Sequence, residues 1–336
     1  MPHPDTPFRI CPAGPADHDA LDAVFCASVA ELCRRHYTTR QLDAWLQRVT
    51  PQRWDELLHG DLFFFLARDR FTGCPAGVMS VNARGYVHSL FVHPRYVRIG
   101  LGRHLLAVAE QWAIATGAAS LWAEVSLTAE PLFRACGFHI ERTQEAIVGS
   151  ERLPQRLMRR DMAHHQATIL PACAGTADIR LVWDGRMRHV DLLLLADEDE
   201  TMLRRYLDRG EMFAVSIGDE TVAACIVTNE GNGVREIQNL AVRTGWQRHG
   251  IGRWLLALAE GRYRACTRLL RVGTGDSPLT IPFYEACGFR PVSRDSGYFL
   301  RHYDHPIFEA GRQLTDRIVL EKPLSLPSFG TDGQDG

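Results

Sequence analysis

The chain has 336 residues, enough for two domains of ordinary size that each bury their own core. Its formal net charge is −2 and hydrophobic residues make up 46%, so no global basic field points to nucleic acid. The sequence contains no run of about 18 apolar residues, and its N-terminus has no basic segment followed by an apolar one. We therefore expect a cytoplasmic protein with neither a membrane nor a nucleic-acid partner.

The nine cysteines are an odd number and show no Cys-x-x-Cys spacing. This scatter favours reduced, packed thiols over disulfides or a zinc site. Lys322 is the only lysine, so lysine-based chemistry is not expected.

Two phrases of the sequence are nearly the same: PLFRACGF at 131–138 and PFYEACGF at 282–289. Gly102 and Gly252, which lie in similar Gly-rich segments, differ by almost the same offset. Two landmarks at one offset predict a duplicated domain. We expect a first copy at 1–163, a linker at 164–178, a second copy at 179–324 and a flexible tail at 325–336.

Each copy predicts the same elements in the same order. A short apolar strand opens it, followed by helical stretches (DALDAVFCASVAELCRRH; TMLRRYLDRG) and paired strands (LFFFLARD with AGVMSVNA; MFAVSIGD with TVAACIVTNE). A further strand (VHSLFV; EIQNLAV) leads through a Gly-rich turn to an amphipathic helix, then a strand (SLWAEV; LLRVGTG) and a helix ending in Cys-Gly-Phe. The pattern predicts an α/β (α+β) fold with a mixed sheet, and the glycine after each cysteine fits a helix C-cap.

The Gly-rich turn of the second copy, QRHGIG at 247–252, lies between a strand and a helix. Glycines at this spacing let the backbone approach a ligand, and the free amides of the helix's first turn carry a partial positive charge. Such a turn suits a pyrophosphate, although a Gly-x-Gly pair alone is a weak signal.

These residues resemble the GCN5-related N-acetyltransferase (GNAT) family. Its signature, Gln/Arg-x-x-Gly-x-Gly/Ala after the fourth strand, is matched by Gln247, Gly250 and Gly252, and its aromatic pair before a Gly-Phe by Phe283 and Tyr284. The resemblance covers roughly 9–162 and 179–324. It implies tandem GNAT domains, each with a mixed, mostly antiparallel twisted sheet flanked by helices, and a pseudo-dimer within the chain is one arrangement this allows.

The resemblance also implies an acyltransferase that moves an acetyl group from acetyl-CoA directly to a primary amine of a small molecule or peptide, without a metal. The residues it implies for acetyl-CoA are the end of the strand, the turn and one aromatic: Leu240, Ala241, Val242, Gln247, Arg248, His249, Gly250, Ile251, Gly252, Arg253 and Phe283.

Two residues are implied for catalysis. Tyr284 is placed like the family's general acid, which protonates the departing thiolate, and Glu236 is placed like the carboxylate that removes a proton from the amine. Asn239 is expected to shape the same pocket. The alternatives are that Tyr284 only packs on its helix and that Glu236 is a surface charge at a strand end.

The first copy departs from the pattern at three matched positions: Val97 replaces Gln247, Tyr86 replaces Glu236 and Phe133 replaces Tyr284. Because phenylalanine cannot donate a proton, we expect the first domain to be degenerate and the second to be catalytic. A weakened CoA site in the first domain would use Leu90, Val92, Gly100 and Gly102. Two other hypotheses stay open: a non-catalytic acyl-CoA-binding regulatory module, and two halves active on different acceptors.

Two further segments are weaker signals. ADEDE at 196–200 is typical of a solvated helix start, with attraction of a cationic acceptor as the alternative. HYDHPIFEAG from His302 contains His302, His305 and Glu309, for which a loop beside the acceptor is favoured over a metal site.

Overall fold

The computed structural model describes residues 7–162, 171, 173 and 177–324. The chain divides into two compact units, an N-terminal unit mainly within residues 3–168 and a C-terminal unit mainly within residues 169–326. Most of the predicted linker and all of the predicted tail at 325–336 lie outside the described residues. The strand that opens the second copy begins at Ala177, inside the stretch predicted as linker.

The N-terminal unit follows the predicted order of elements. They are β1 (Phe8–Ala13), α1 (His18–Ala27), α2 (Thr39–Gln47), α3 (Pro51–His59), β2 (Leu62–Asp69), β3 (Pro75–Asn82), β4 (Val87–Val92), α4 (Leu101–Thr116), β5 (Ser120–Ser126), α5 (Glu130–Ala135), β6 (His139–Val148) and β7 (Glu151–Asp161). The helix predicted over 19–36 is not uniform: after Ala27 it passes into a π-helical turn, Ser28–Leu32, and a 3-10 turn, Cys33–Arg35. Both Val29 and Cys33 are buried in the core.

The sheet of the N-terminal unit is split. Strands β1, β2, β3 and β4 form one antiparallel sheet, and β5, β7 and β6 form another. An isolated parallel bridge joins Tyr86 to Trp122 between them. The strands β4 and β5 therefore part immediately after their first contact.

The C-terminal unit repeats the plan and adds to it near its end. Its elements are β8 (Ala177–Val182), α6 (Val190–Leu193), α7 (Glu200–Arg204), β9 (Gly210–Ile217), β10 (Glu220–Gly231), β11 (Val234–Val242), α8 (Ile251–Tyr263), β12 (Leu269–Gly275), α9 (Thr280–Ala286), β13 (Arg290–Asp295), α10 (Tyr298–His302), β14 (Phe308–Glu309), β15 (Arg312–Gln313) and β16 (Arg317–Pro323). The elements β14 and β15 form a separate two-stranded ribbon.

One seven-stranded sheet organises the C-terminal unit, in the order β13, β16, β12, β11, β10, β9, β8. Every neighbouring pair is antiparallel except β11 and β12, which run parallel from Val234 opposite Leu269 to Ile237 opposite Val272. The mixed, mostly antiparallel sheet predicted from the sequence is confirmed.

The strand β11 carries a β-bulge at Gln238, because Ile237 pairs with Val227 and Asn239 pairs with Ile226. An extra residue shifts the alternation of side chains by one. Glu236, Asn239 and Ala241 consequently share one face of the sheet. The same face packs against α6 and α7 through Leu192 and Leu203, among others.

The repeated Ala-Cys-Gly-Phe phrase is a helix terminus in both units. Gly137 and Gly288 have φ of 84° and 90°, so each adopts the left-handed conformation that the sequence predicted for the C-cap glycine. The next amide closes the turn in each case, with Phe138 donating to the Phe133 carbonyl and Phe289 donating to the Tyr284 carbonyl at 3.0 Å. The residues that the two phrases share therefore have a structural role, which is to end the helix.

None of the nine cysteines, all of which lie among the described residues, forms a disulfide. Of the helices in the described ranges, none is both long enough and apolar enough to cross a bilayer.

Gly210, at the start of β9, gives a testable prediction about the stability of the fold. A Cβ at Gly210 would lie 2.2 Å from the Val227 carbonyl oxygen and 2.7 Å from its carbon, so the backbone of β10 would have to move. We expect Gly210→Ala to reduce the free energy of unfolding by about 1–3 kcal/mol, the usual cost of overpacking. Urea denaturation of the full chain measures this.

The matched control is Gly245→Ala, because a Cβ at Gly245 meets no heavy atom within 4 Å. This variant should stay within about 0.5 kcal/mol of the parent. Equal urea midpoints for both variants would contradict the close approach of β9 and β10.

Candidate active site

The turn that follows β11 has an unusual backbone. After the 3-10 turn Thr244–Trp246, Arg248 and Gly250 both lie in the left-handed region, with φ of 66° and 86°. A non-glycine residue there is uncommon and costs about 1–2 kcal/mol. The Gln247 side chain donates to the Val242 carbonyl at 3.0 Å, which fastens the turn to the end of the strand.

The helix α8 begins directly after this turn, and the first backbone bond of the helix runs from the Trp254 amide to the Gly250 carbonyl at 3.0 Å. Helix geometry leaves the preceding amides without intrahelical partners. A Cβ at Gly252 would lie 3.3 Å from Phe283 and 3.8 Å from Val242. Glycine at this position therefore keeps space where α8, α9 and β11 approach one another.

The end of β11 has one open edge. Leu240, Ala241 and Val242 pair with β10 on one side, whereas the ladder with β12 ends at Ile237. Among the described residues, no strand continues that ladder beside 239–242. Since backbone amides and carbonyls need partners, an open edge of this kind suits an extended ligand that carries its own amides.

Tyr284 lies on α9 and is only 7% exposed. Its ring packs edge-on against Phe283 at 5.0 Å and against Phe289 at 5.7 Å between centroids. Burial raises the pKa of Tyr284 above its ordinary value, and the Cys225, Cys287 and Glu309 groups add to the rise in pKa. The phenol is thus held in its protonated form, as a proton donor must be.

Glu236 is 7% exposed, on β11 opposite Thr228. Its Oε1 accepts from the Arg317 guanidinium, which lies over the Tyr298 ring at 5.4 Å from its centroid. The alternative of a solvated strand-end charge is therefore wrong. No described residue donates a hydrogen bond to the other oxygen, Oε2.

Asn239 belongs to a polar cluster on the same face. Its Nδ2 donates to the Leu193 carbonyl at 3.0 Å and to the Tyr206 Oη at 3.1 Å. Tyr206 Oη donates to Asp197 Oδ2 at 3.0 Å, and Tyr303 Oη donates to Asp197 Oδ1 at 3.2 Å. We call Asp197, Tyr206, Asn239 and Tyr303 the Asp197 cluster.

Sequence reasoning did not identify three of these four residues. Of the acidic run 196–200, Asp199 does begin a helix, accepting from the Thr201 amide at 2.6 Å and the Met202 amide at 3.1 Å. Asp197 instead turns inward, so a fully solvated run is wrong for this residue. The one feature of the sequence that pointed to Asp197 was the negative charge of the run 196–200, for which attraction of a cationic acceptor was the alternative interpretation.

The segment from His302 contributes Tyr303. The His302 ring lies 4.4 Å from the Tyr298 ring, and His305 bonds Asp304 at 2.6 Å. Among the described residues, the His and acidic groups that gather within 4.8 Å of one another are Asp199, Asp304 and His305, two of them exposed. The structure does not gather His302, His305 and Glu309 into one group.

The N-terminal unit keeps the backbone of the turn. Arg98 and Gly100 have φ of 66° and 85°, matching Arg248 and Gly250 to within a degree. A Cβ at Gly102 would lie 2.7 Å from Leu132, which stands where the second copy has Phe283. Leu90 and Val92 lie on β4, pairing with β3.

The polar groups of the N-terminal unit differ from those of the C-terminal unit. Phe133 is buried and packs edge-on against Phe138, with 4.9 Å between ring centroids. Tyr284 and Phe289 make the equivalent contact in the C-terminal unit. Tyr86 stacks on Trp122 at 4.2 Å and donates to Glu124 at 3.3 Å, and burial raises the pKa of Tyr86 to about 12. The hydroxyl of Tyr284 therefore has no counterpart on α5.

Comparison with known proteins gives two matches to family models, each described as an acetyltransferase (GNAT) domain, at residues 33–157 and 208–291. The uncharacterized N-acetyltransferase YvbK of Bacillus subtilis is 37% identical over 132 residues, covering 39% of this chain and 85% of that protein. The uncharacterized N-acetyltransferase YafP of Escherichia coli is 29% identical over 130 residues, covering 39% of this chain and 80% of that protein.

Among solved structures, a GNAT family acetyltransferase from Elizabethkingia anophelis with acetyl-CoA bound is similar at 30% identity, covering 44% of this chain and 99% of that chain, with a TM-score of 0.42. The two family models together match more than half of the chain, one in each unit. YvbK adds a relative above 30% identity over most of its own length. The chain therefore belongs to the acetyltransferase (GNAT) domain family, and it is an acyltransferase with two such domains in tandem.

Proposed function

We propose that the C-terminal unit transfers the acetyl group of acetyl-CoA directly to a primary amine of a small molecule or peptide, and that the N-terminal unit retains the fold without the proton-transfer groups. One observation carries this proposal. Tyr284 and Phe133 occupy equivalent positions in the two units. Each accepts a hydrogen bond at its carbonyl from the phenylalanine amide five residues later and packs edge-on against the ring of that phenylalanine, so the two side chains differ only by a hydroxyl.

The chain's own residues fit acetyl-CoA in two places. The left-handed Arg248 and Gly250, followed by the first turn of α8, form an anion-binding turn for a pyrophosphate. The open backbone edge at 240–242 suits the amides of the pantetheine arm. When bound, acetyl-CoA supplies the thioester from which the acetyl group is taken.

Three groups would handle protons and charge. Glu236 accepts the amine proton at Oε2, because Oε1 is held by Arg317. A backbone amide of β11 polarises the acetyl carbonyl, a preoriented dipole of the kind that contributes most to such reactions. Tyr284 donates its proton to the departing sulfur, and burial keeps that proton in place until then.

The hydroxyl of Tyr284 also bears on the non-catalytic alternative. A module that only senses acyl-CoA has no use for a buried phenol held protonated beside its ligand edge. The arrangement of Tyr284 and Glu236 in one unit thus favours an enzyme over a sensor.

Replacing Tyr284 with phenylalanine tests the acid. Because the ring packing is kept and only the proton is lost, kcat should fall by about 10² to 10⁴ while the KM for acetyl-CoA changes little. The measurement is the steady-state release of CoA with a panel of primary amines.

The pH profile of the parent enzyme is the internal control. Since the raised pKa of Tyr284 keeps the phenol protonated, this group should cause no decline of kcat below about pH 10. An unchanged kcat in the Tyr284→Phe variant would remove Tyr284 from the acid role.

Replacing Glu236 with glutamine tests the base. At neutral pH we expect kcat to fall by about 10² or more, because the ammonium form of the amine must then lose its proton without help. The deficit should shrink as the pH approaches the pKa of the amine, near about 10, since the substrate then arrives neutral. Parallel pH and rate measurements on both proteins give this comparison.

A deficit that stays constant with pH would contradict the base role. It would show instead that Glu236 acts only by holding Arg317.

Alanine substitutions at two equivalent glycines test which unit is catalytic. Gly250 and Gly100 have nearly the same φ, and a Cβ at either meets nothing closer than 3.9 Å, so alanine imposes the same backbone strain in both. We expect Gly250→Ala to raise the KM for acetyl-CoA by about tenfold, equivalent to a strain of about 1–2 kcal/mol. Gly100→Ala should leave both kcat and KM unchanged.

Both variants are compared by the same CoA-release assay at saturating amine. An equal loss of turnover in the two variants would favour the hypothesis that both halves are active.

A further inference from the structure

The Asp197 cluster is built from four separate parts of the C-terminal unit. Asp197 follows α6, Tyr206 follows α7, Asn239 lies on β11 and Tyr303 follows α10. The hydrogen bonds between them join residues as far as 106 positions apart in the sequence. The cluster is therefore a product of the tertiary fold and not of one loop.

Asp197 has no cationic partner among the described residues. No arginine, lysine or histidine of the described ranges lies within salt-bridge distance of its carboxylate, and the neighbouring Glu198, Asp199 and Glu200 carry the same charge. Burial raises the pKa of Asp197, and the two phenol hydrogen bonds only partly oppose this rise. Hydrogen bonds from the two phenols and the Asp199 amide stabilise this carboxylate, but no described residue balances its charge.

The neighbouring amide has an acceptor to spare. The Leu193 carbonyl accepts from Asn239 Nδ2, which fixes the amide orientation, and Oδ1 is left buried without a partner. Asn239 is 3% exposed, and a buried acceptor without a partner is rare in folded proteins. The two tyrosine hydroxyls and the Asp199 amide all donate to Asp197, the amide to Oδ1 at 3.3 Å, so none of these donors is left for Asn239 Oδ1.

An ammonium group has what the cluster lacks. It brings a positive charge and three N–H donors, and it accepts nothing. Tyr303 also stacks on Phe299, with 5.3 Å between the ring centroids, which helps to hold its hydroxyl at the carboxylate.

One member of the Asp197 cluster lies on the same strand as Glu236. Glu236 and Asn239 share one face of β11 and are two paired positions apart, because Gln238 forms the bulge. Two positions correspond to roughly 7 Å along a strand. A ligand that contacts both Glu236 and Asn239 would span about that distance.

We propose that the acceptor is a dicationic amine, whose reacting nitrogen lies at Glu236 while its second cationic group binds the Asp197 cluster. This inference rests on the proposed acetyl transfer by the C-terminal unit. It assigns Asp197 to acceptor specificity and leaves the chemistry to Tyr284 and Glu236. A purely structural cluster, which would only hold Tyr303 against the loop after α6, is the alternative to be tested.

The test compares three amines of similar length on the full chain: 1,5-diaminopentane, n-pentylamine and 6-aminohexanoate. For the parent, kcat/KM should be about ten- to a hundredfold higher for the diamine than for pentylamine, the value of one charged hydrogen bond. The aminohexanoate, whose far end is negative, should be poorer than pentylamine. This comparison needs no variant.

Asp197→Asn then localises the effect. It should lower kcat/KM for the diamine by about tenfold or more, chiefly through KM, and leave pentylamine and the KM for acetyl-CoA unchanged. Glu198→Gln, at the neighbouring position, is the matched control and should change neither amine.

Each outcome has a distinct meaning. Equal kcat/KM for diamine and pentylamine in the parent would overturn the dicationic acceptor and leave the proposed acetyl transfer standing. Equal losses for both amines in Asp197→Asn would show that the cluster is structural. Turnover of no amine by the parent would overturn the acetyl transfer itself and this inference with it.

Discussion

The early end of the parallel ladder between β11 and β12 is the constraint on which the site depends. Beyond Ile237 the two strands separate, and this leaves the backbone of residues 240–242 unpaired on one side. The bulge at Gln238 lies at the point of separation and brings Glu236 and Asn239 onto one face. A ladder continued by only a few more pairs would close this open edge.

Three ionisable groups of the C-terminal unit lie in different surroundings. Tyr284 is kept neutral by burial, Glu236 is kept in place by Arg317, and Asp197 is kept without a cation among the described residues. These environments suit different chemical roles, since the first group can give a proton, the second can take one and the third can bind a positive charge. Tyr284 lies on a helix and Glu236 on a strand, while Asp197 lies between α6 and α7 and is held by hydrogen bonds from Tyr206 and Tyr303.

Much of the fold could be predicted from the sequence because its signals are local. The order of elements followed from hydrophobic periodicity, and the left-handed glycines at Gly137 and Gly288 followed from the ends of helices. The breaks in the helical stretch after Ala27 were not predictable, since the same apolar residues suit α and π turns.

The site was only partly predictable, because its contacts join residues that are distant in the sequence. Tyr284 and Glu236 were named from motif positions, but the pairing of Glu236 with Arg317 joins residues 81 positions apart. Asp197 was concealed within an acidic run whose composition is typical of a surface. Contacts of this kind depend on how distant elements meet, and no periodicity in the sequence records them.

The left-handed arginines have a consequence for how such chains are interpreted. Arg98 and Arg248 adopt the same unfavourable conformation, although Phe133 gives the N-terminal unit no proton to donate at the place of Tyr284. The shape of the turn is thus the same in both units, although the hydroxyl at the position of Tyr284 is present in the C-terminal unit and absent from Phe133. An intact Gly-rich turn is therefore no guide to which polar groups the rest of its domain presents.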